Sequence, residues 1–143
     1  MPTGSCLCGN IRISYDGDAT MKGICHCNDC RRLPGFGLVF GIPEQDFKIT
    51  HGEPKVFIKV ADSGRDIHTY FCDNCGTQLW RTNNMPEMKG LVMLRAPVID
   101  QVEEIDGEKG KPTVEIYAER RPAWKAPVEG AAQMNSRWEP IEA

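Results

Sequence analysis

The sequence predicts a mainly β single domain, and three observations lead to that expectation. Fourteen glycines and ten prolines in 143 residues punctuate the chain too often for long elements. Between them lie short runs that alternate apolar with polar residues, the period of a half-buried strand. A chain of this length most simply makes one domain with a real core, and a hydrophobic share of 41% with a charged share of 26% suits a globular protein.

Taken in order, Ile11 to Tyr15 alternates like a strand and Asp16-Gly17-Asp18 turns the chain. Met21 to Cys25 reads as a short strand, and Asn28 to Arg32 as a turn or single helical loop. Leu33 to Gly37 cannot be regular helix, because Pro34 and two glycines interrupt it. Leu38 to Ile42 is a compact apolar run suited to a buried strand, closed by Pro43. Asp46 to Thr50 alternates again, and His51-Gly52-Glu53-Pro54 turns the chain into the strand Lys55 to Val60. Ala61 to Arg65 connects it as a hairpin to Asp66 to Phe71. Gln78 to Arg81, Leu91 to Arg95 and Thr113 to Tyr117 are further strands. Thr82 to Lys89 is a polar separator, and Glu103 to Pro112 an acidic, Gly-rich solvated loop. From Arg120 onward an irregular tail is expected to pack back, with Trp124 and Trp138 as anchors.

The formal charge of −3 and pI near 5.6 give no electrostatic pull toward nucleic acid or an anionic membrane. No apolar run approaches the length of a membrane helix, and Met1 to Cys6 has neither the basic nor the apolar region of a secretory leader. Together with many closely spaced thiols, this predicts a cytoplasmic protein.

All seven cysteines fall in clusters: Cys6 and Cys8, then Cys25, Cys27 and Cys30, then Cys72 and Cys75. An odd number of such close thiols makes a poor disulfide framework and a good metal site, most simply for zinc. Zinc takes four ligands in a closed structural site, so seven thiols divide as four plus three. Cys8 and Cys75 are each followed by a glycine, which permits a positive φ and lets backbone N–H groups face the sulfurs. Joining Cys6 and Cys8 to Cys72 and Cys75 would pin the N-terminus to the middle of the chain. Cys25, Cys27 and Cys30 then form a three-ligand set, the pattern of a catalytic zinc with an open position. A second closed site, with His26, His51, His68 or Asp29 as fourth ligand, fits the same spacing, as does a redox-active thiol trio.

Three thiolates make zinc a weak Lewis acid, better suited to holding a substrate sulfur than to making hydroxide. A coordinated thiol is deprotonated and becomes both nucleophile and leaving group. The chemistry that follows is making or breaking a carbon–sulfur bond. Lys22, Arg31 and Arg32 stand close in sequence, where they could offset charge or hold a substrate carboxylate.

The succession Cys-x-Cys-Gly, Cys-His-Cys-x-x-Cys-Arg and Cys-x-x-Cys-Gly resembles the glutathione-dependent formaldehyde-activating enzyme (GFA) family, also called the GFA/CENP-V domain. The resemblance covers Thr3 to Trp124, whose last six residues look like the family's C-terminal end. It leaves 125–143 as a tail packing on the domain. The resemblance implies an Mss4-like fold of coiled antiparallel β-sheets around a structural zinc knuckle. It also implies two zinc ions: a structural one on Cys6, Cys8, Cys72 and Cys75, and a catalytic one on Cys25, Cys27 and Cys30. The implied activity is that of a carbon–sulfur lyase, with glutathione as cosubstrate and S-hydroxymethylglutathione as its adduct with formaldehyde. The partner is then a small-molecule thiol adduct, with no nucleic acid and no membrane; oligomeric state is left open.

Within that reading His26 and Asp29 are the candidate acid or base residues. Extended alternation would turn His26 away from its two flanking ligands. Arg31, Arg32 and Phe36 are the candidate substrate or cosubstrate contacts, and Trp80 is expected in the core. The competing functional readings are a non-catalytic zinc-binding interaction module and a thiol-based redox or metal sensor.

Overall fold

A computed structural model describes residues 1–33, 35, 37–61 and 64–142. Among them run eleven strands: β1 (Thr3–Ser5), β2 (Arg12–Tyr15), β3 (Met21–Cys25), β4 (Leu38–Pro43), β5 (Phe47–His51), β6 (Lys55–Val60), β7 (Asp66–Phe71), β8 (Gln78–Asn83), β9 (Leu91–Arg95), β10 (Val114–Ile116) and β11 (Ala132–Gln133). β1, β2 and β5 form a small sheet in that order. The remaining eight form a second sheet ordered β11-β10-β3-β4-β9-β8-β7-β6.

The expectation of antiparallel sheets needs correction, because β10 pairs parallel with both β3 and β11. A parallel neighbour cannot be reached by a tight hairpin; β10 comes beside β3 after residues 96–113 carry the chain from β9 past β4 and β3 in the sheet order. That segment is more ordered than the expected solvated loop. It carries 3-10 turns and a four-residue helix, α1 (Gly107–Gly110), capped by Asp106, whose Oδ1 accepts from the Gly107 N–H at 2.9 Å. The tail is also more regular than expected. β11 joins the sheet edge, and the Ala118 N–H donates to the Met134 carbonyl at 2.9 Å. Trp124 does not anchor it: the residue is 82% exposed, in a turn closed by the Lys125 N–H on the Pro122 carbonyl. Trp138 is half-buried.

Strand alternation gives the larger sheet two faces with different work. Phe40 and Ile42 of β4, Trp80 of β8, and Val92 and Leu94 of β9 turn to one side. There they meet Ile13 and Tyr15 of β2 in a single core. Trp80 is stacked on Tyr70 at 5.1 Å and meets Phe47 edge-on at 4.9 Å. The intervening residues Val39, Arg81, Met93 and Arg95 belong to the opposite face and line a cleft. The small sheet is tied on through Asp100, which accepts from the Thr3 and Ser5 hydroxyls at 2.8 and 2.6 Å. At the far end β6 forms the outer edge of the sheet, exposed along its whole length, with Phe57 52% and Val60 63% exposed.

Trp80 is the residue on which the core aromatics converge. Its replacement by alanine is expected to cost about 3–5 kcal/mol of unfolding free energy, measured by urea denaturation.

Candidate metal centres

The two cysteine pairs distant in sequence meet at one end of the core. Cys6 and Cys8 follow β1, and Cys72 and Cys75 follow β7. Their four sulfurs lie within 4.8 Å of one another. Both pairs turn at the glycine that follows them, Gly9 at φ 80° and Gly76 at φ 77°, where a Cβ would be strained. The two turns are stitched by Thr77. Its hydroxyl accepts from the Leu7 N–H at 3.1 Å and sits 3.1 Å from the Cys75 sulfur, and its carbonyl takes the Cys72 N–H at 3.0 Å. The Thr77 hydroxyl and backbone push the Cys75 thiol down to about 5. The Ile11 N–H points at the Cys6 sulfur at 3.2 Å.

A tetrahedral ion with metal–sulfur bonds of about 2.3 Å would separate its ligand sulfurs by about 3.8 Å. The Cys6–Cys8 and Cys8–Cys72 separations are 3.6 and 3.7 Å. They are far too long for disulfides, and all seven cysteines are free. The four-sulfur group thus fits a closed thiolate site.

The second group comprises Cys25, Cys27 and Cys30, also within 4.8 Å of one another. Cys25 ends β3, and the next residues fold into a tight turn. In it the Arg31 N–H donates to the Cys27 carbonyl and the Cys30 N–H to the Cys27 sulfur at 3.2 Å. Hydrogen bonds from Cys25 and then Cys30, outweighing burial, push Cys27 down to about 2. Donation to Cys27 pushes Cys25 up in turn. No fourth His, Asp or Glu atom joins the trio among the described residues. The histidines considered for that position lie elsewhere. The His51 Nδ1 is 2.9 Å from the Asn10 carbonyl, and His68 sits mid-strand in β7, opposite Ile58 and Thr82.

His26 is buried with its back to the trio. Its Nε2 is 2.7 Å from Oε1 of Glu115, a fully buried residue of β10. The other Glu115 oxygen accepts from the Val128 N–H and from Gln133 Nε2 of β11, each at 2.8 Å. Burial opposes the charge on Glu115, but His26, Gln133 and Val128 outweigh it and hold the carboxyl below its ordinary value.

The trio opens into a cleft of about 200 Å³ on the sheet face opposite the core. Asp29 lines it and pairs with Lys59. Arg31 and Arg32 do not line it. Both are exposed, with their side chains turned to Asn28 at 3.4 and 2.6 Å. Phe36 lies outside the described residues. Lys22 is buried away from the thiols, on the Lys109 carbonyl at 2.6 Å and Asp18 at 3.0 Å.

Sequence reasoning did not single out the arginines that stand beside the sulfurs. Arg81 is 8% exposed and donates to the Cys30 sulfur at 3.2 Å; Arg95 is 2% exposed and faces the same sulfur. Burial pushes the Arg95 guanidinium down, and Cys30 works against that push. A charged residue inside the apolar run Leu91 to Arg95 was the one available signal, since a buried cation needs a reason.

Against known proteins, the family model of the glutathione-dependent formaldehyde-activating enzyme matches residues 1–120. The chain belongs to this family. The crystal structure of a Rhodobacter sphaeroides protein, solved as a structural genomics target, is similar with a TM-score of 0.57. The likeness covers 73% of this chain and 95% of that one at 15% identity, which is a likeness of fold. No curated protein matches. The span matched by the formaldehyde-activating enzyme model contains all seven cysteines and ends at Arg120 on the cleft wall. Ser136 and Trp138, which also line the cleft, lie beyond it.

Gly37, at φ 73°, lets its strand pass close to the Cys25 carbonyl, with which any Cβ there would collide. Gly37→Ala is therefore expected to cut metal binding at the trio at least about tenfold while sparing the four-sulfur group. Metal counts by native mass spectrometry check this; equal loss at both groups would contradict it.

Proposed function

We propose that the protein is a zinc-dependent carbon–sulfur lyase acting on an adduct of glutathione or another small thiol. Three sulfurs open to a cleft, with no fourth His, Cys, Asp or Glu ligand among the described residues, are the observation that carries this reading. On it, Cys6, Cys8, Cys72 and Cys75 hold a structural zinc and Cys25, Cys27 and Cys30 a catalytic one. Thiol-rich donor sets select zinc among the common divalent ions. Bound at the trio, zinc would supply a place where a substrate sulfur is held deprotonated.

The chain's own residues divide the rest of the work. Asp29, on the cleft wall and held by Lys59, takes the hydroxyl proton of the adduct. As the carbon–sulfur bond breaks, the bonding pair stays on sulfur and an aldehyde carbonyl forms. In the reverse direction Asp29 returns the proton. His26 acts through position rather than by touching substrate: clamped on Glu115, it fixes the backbone between Cys25 and Cys27. Formaldehyde is the electrophile that the family's name suggests. The exposed apolar edge of β6 is the feature that a non-catalytic binding module would use. That reading gives no work to the open trio.

Native mass spectrometry is expected to count two zinc ions and to detect a glutathione adduct. Cys27→Ala should stay folded, keep about one zinc and lose turnover. Asp29→Asn should keep both ions and lower kcat by about 10²-fold or more. A Cys27 variant that unfolds and loses both ions would overturn the division of labour.

A further inference from the structure

A protein of formal charge −3 lines this cleft with four arginines, Arg65, Arg81, Arg95 and Arg120, against one carboxylate among the described residues, that of Asp29. That carboxylate is already paired with Lys59. The four cations do not share one task. Arg81 and Arg95 are buried behind Cys30 and turned to its sulfur. Arg65 and Arg120 stand at the accessible margins.

Arg65 is half-buried in the turn between β6 and β7, with one N–H on the Asn84 carbonyl. Arg120 is exposed after β10, its guanidinium 5.0 Å from the centre of the Tyr117 ring. Neither belongs to an ion pair among the described residues. In the strand order of the sheet, β7 and β10 lie on opposite sides of β3, which delivers Cys25. Both guanidiniums line the cleft into which the sulfur trio opens. Each keeps most of its five donors, in the planar fork that matches a carboxylate. The same cleft carries an apolar group of lining residues, Ile67, Met85, Met88 and Met93.

We propose that Arg65 and Arg120 clasp a carboxylate on the substrate, so that the cleft selects carboxylate-bearing thiols over neutral ones. This rests on the sulfur-binding reading of the trio. It assigns to these two residues the role that neighbourhood in sequence suggested for Arg31 and Arg32. The aldehyde-derived part of the adduct then lies toward the methionine wall, whose flexible thioethers adapt to varied shapes.

Cobalt(II)-loaded protein, whose absorption reports sulfur ligation, is titrated with 3-mercaptopropionate, 2-mercaptoethanol and succinate. In the wild type 3-mercaptopropionate should bind about tenfold or more tightly than 2-mercaptoethanol. Arg65→Ala and Arg120→Ala together should abolish that preference while leaving 2-mercaptoethanol affinity, metal content and thermal midpoint unchanged. Lys48→Ala, an exposed charge on the small sheet, should leave the preference intact. Equal affinities in the wild type, or a preference that survives the double variant, would overturn the clasp. If neither thiol perturbs the cobalt spectrum, the sulfur-binding reading fails instead. The clasp is then decided by succinate, followed calorimetrically: binding lost in the double variant supports it, and binding unchanged or absent in the wild type overturns it.

Discussion

Arg81 and Arg95 are held on adjacent strands with almost no access to water, and the Cys30 sulfur is a group that both face. Burying guanidinium groups is costly unless an anion compensates them. The compensation here is reciprocal. Two cations behind the trio favour its thiolate form, which a metal requires, and the sulfurs in turn make the cations tolerable. On Coulombic grounds three thiolates with a divalent ion leave one negative charge. With such an ion bound, the two arginines would over-compensate that charge, which is the electrostatic basis on which the proposed anionic ligand would be held.

This arrangement depends on the two faces of the larger sheet. Trp80 and Leu94 point into the core while their neighbours Arg81 and Arg95 point into the cleft. A register slip of one residue would exchange them, placing two charges in the core. The four-sulfur group guards that register from one end. It joins the start of the chain to the turn between β7 and β8, a sequence separation of 64 residues between Cys8 and Cys72. The position of β8 is thus coupled to that of the N-terminal sheet.

What the sequence made legible follows from what is local. Strands β3, β6, β7 and β9 are expected at their observed bounds, and the thiol groups divide as their spacing suggests. Short-range alternation and a metal's ligand count act over a few residues, so both leave a pattern in the chain. The parallel pairing of β10 leaves none, since it is decided by a long crossover. Nor does the cluster of Arg65, Arg81, Arg95 and Arg120, four residues on separate elements that converge only through sheet order. Arg31 and Arg32 are the converse case. They adjoin Cys30 in sequence, but the tight turn there directs them to Asn28 and solvent.

Glu115 shows how the tail enters this arrangement. Its carboxylate receives one bond from His26, between two trio cysteines, and two from residues beyond the family-model match, Val128 and Gln133. The backbone of the same segment carries the chain on to Trp138 at the cleft, held at φ 61° by a turn in which Asn135 accepts from the Arg137 and Glu139 N–H groups. A positive φ is uncommon outside glycine and persists where surrounding bonds impose it. One buried carboxylate thereby joins the loop that presents the sulfurs to the segment that shapes the wall facing them. A displacement of the tail would leave a buried acceptor of Glu115 unsatisfied, so the tail contributes to the support behind His26 and its two flanking cysteines.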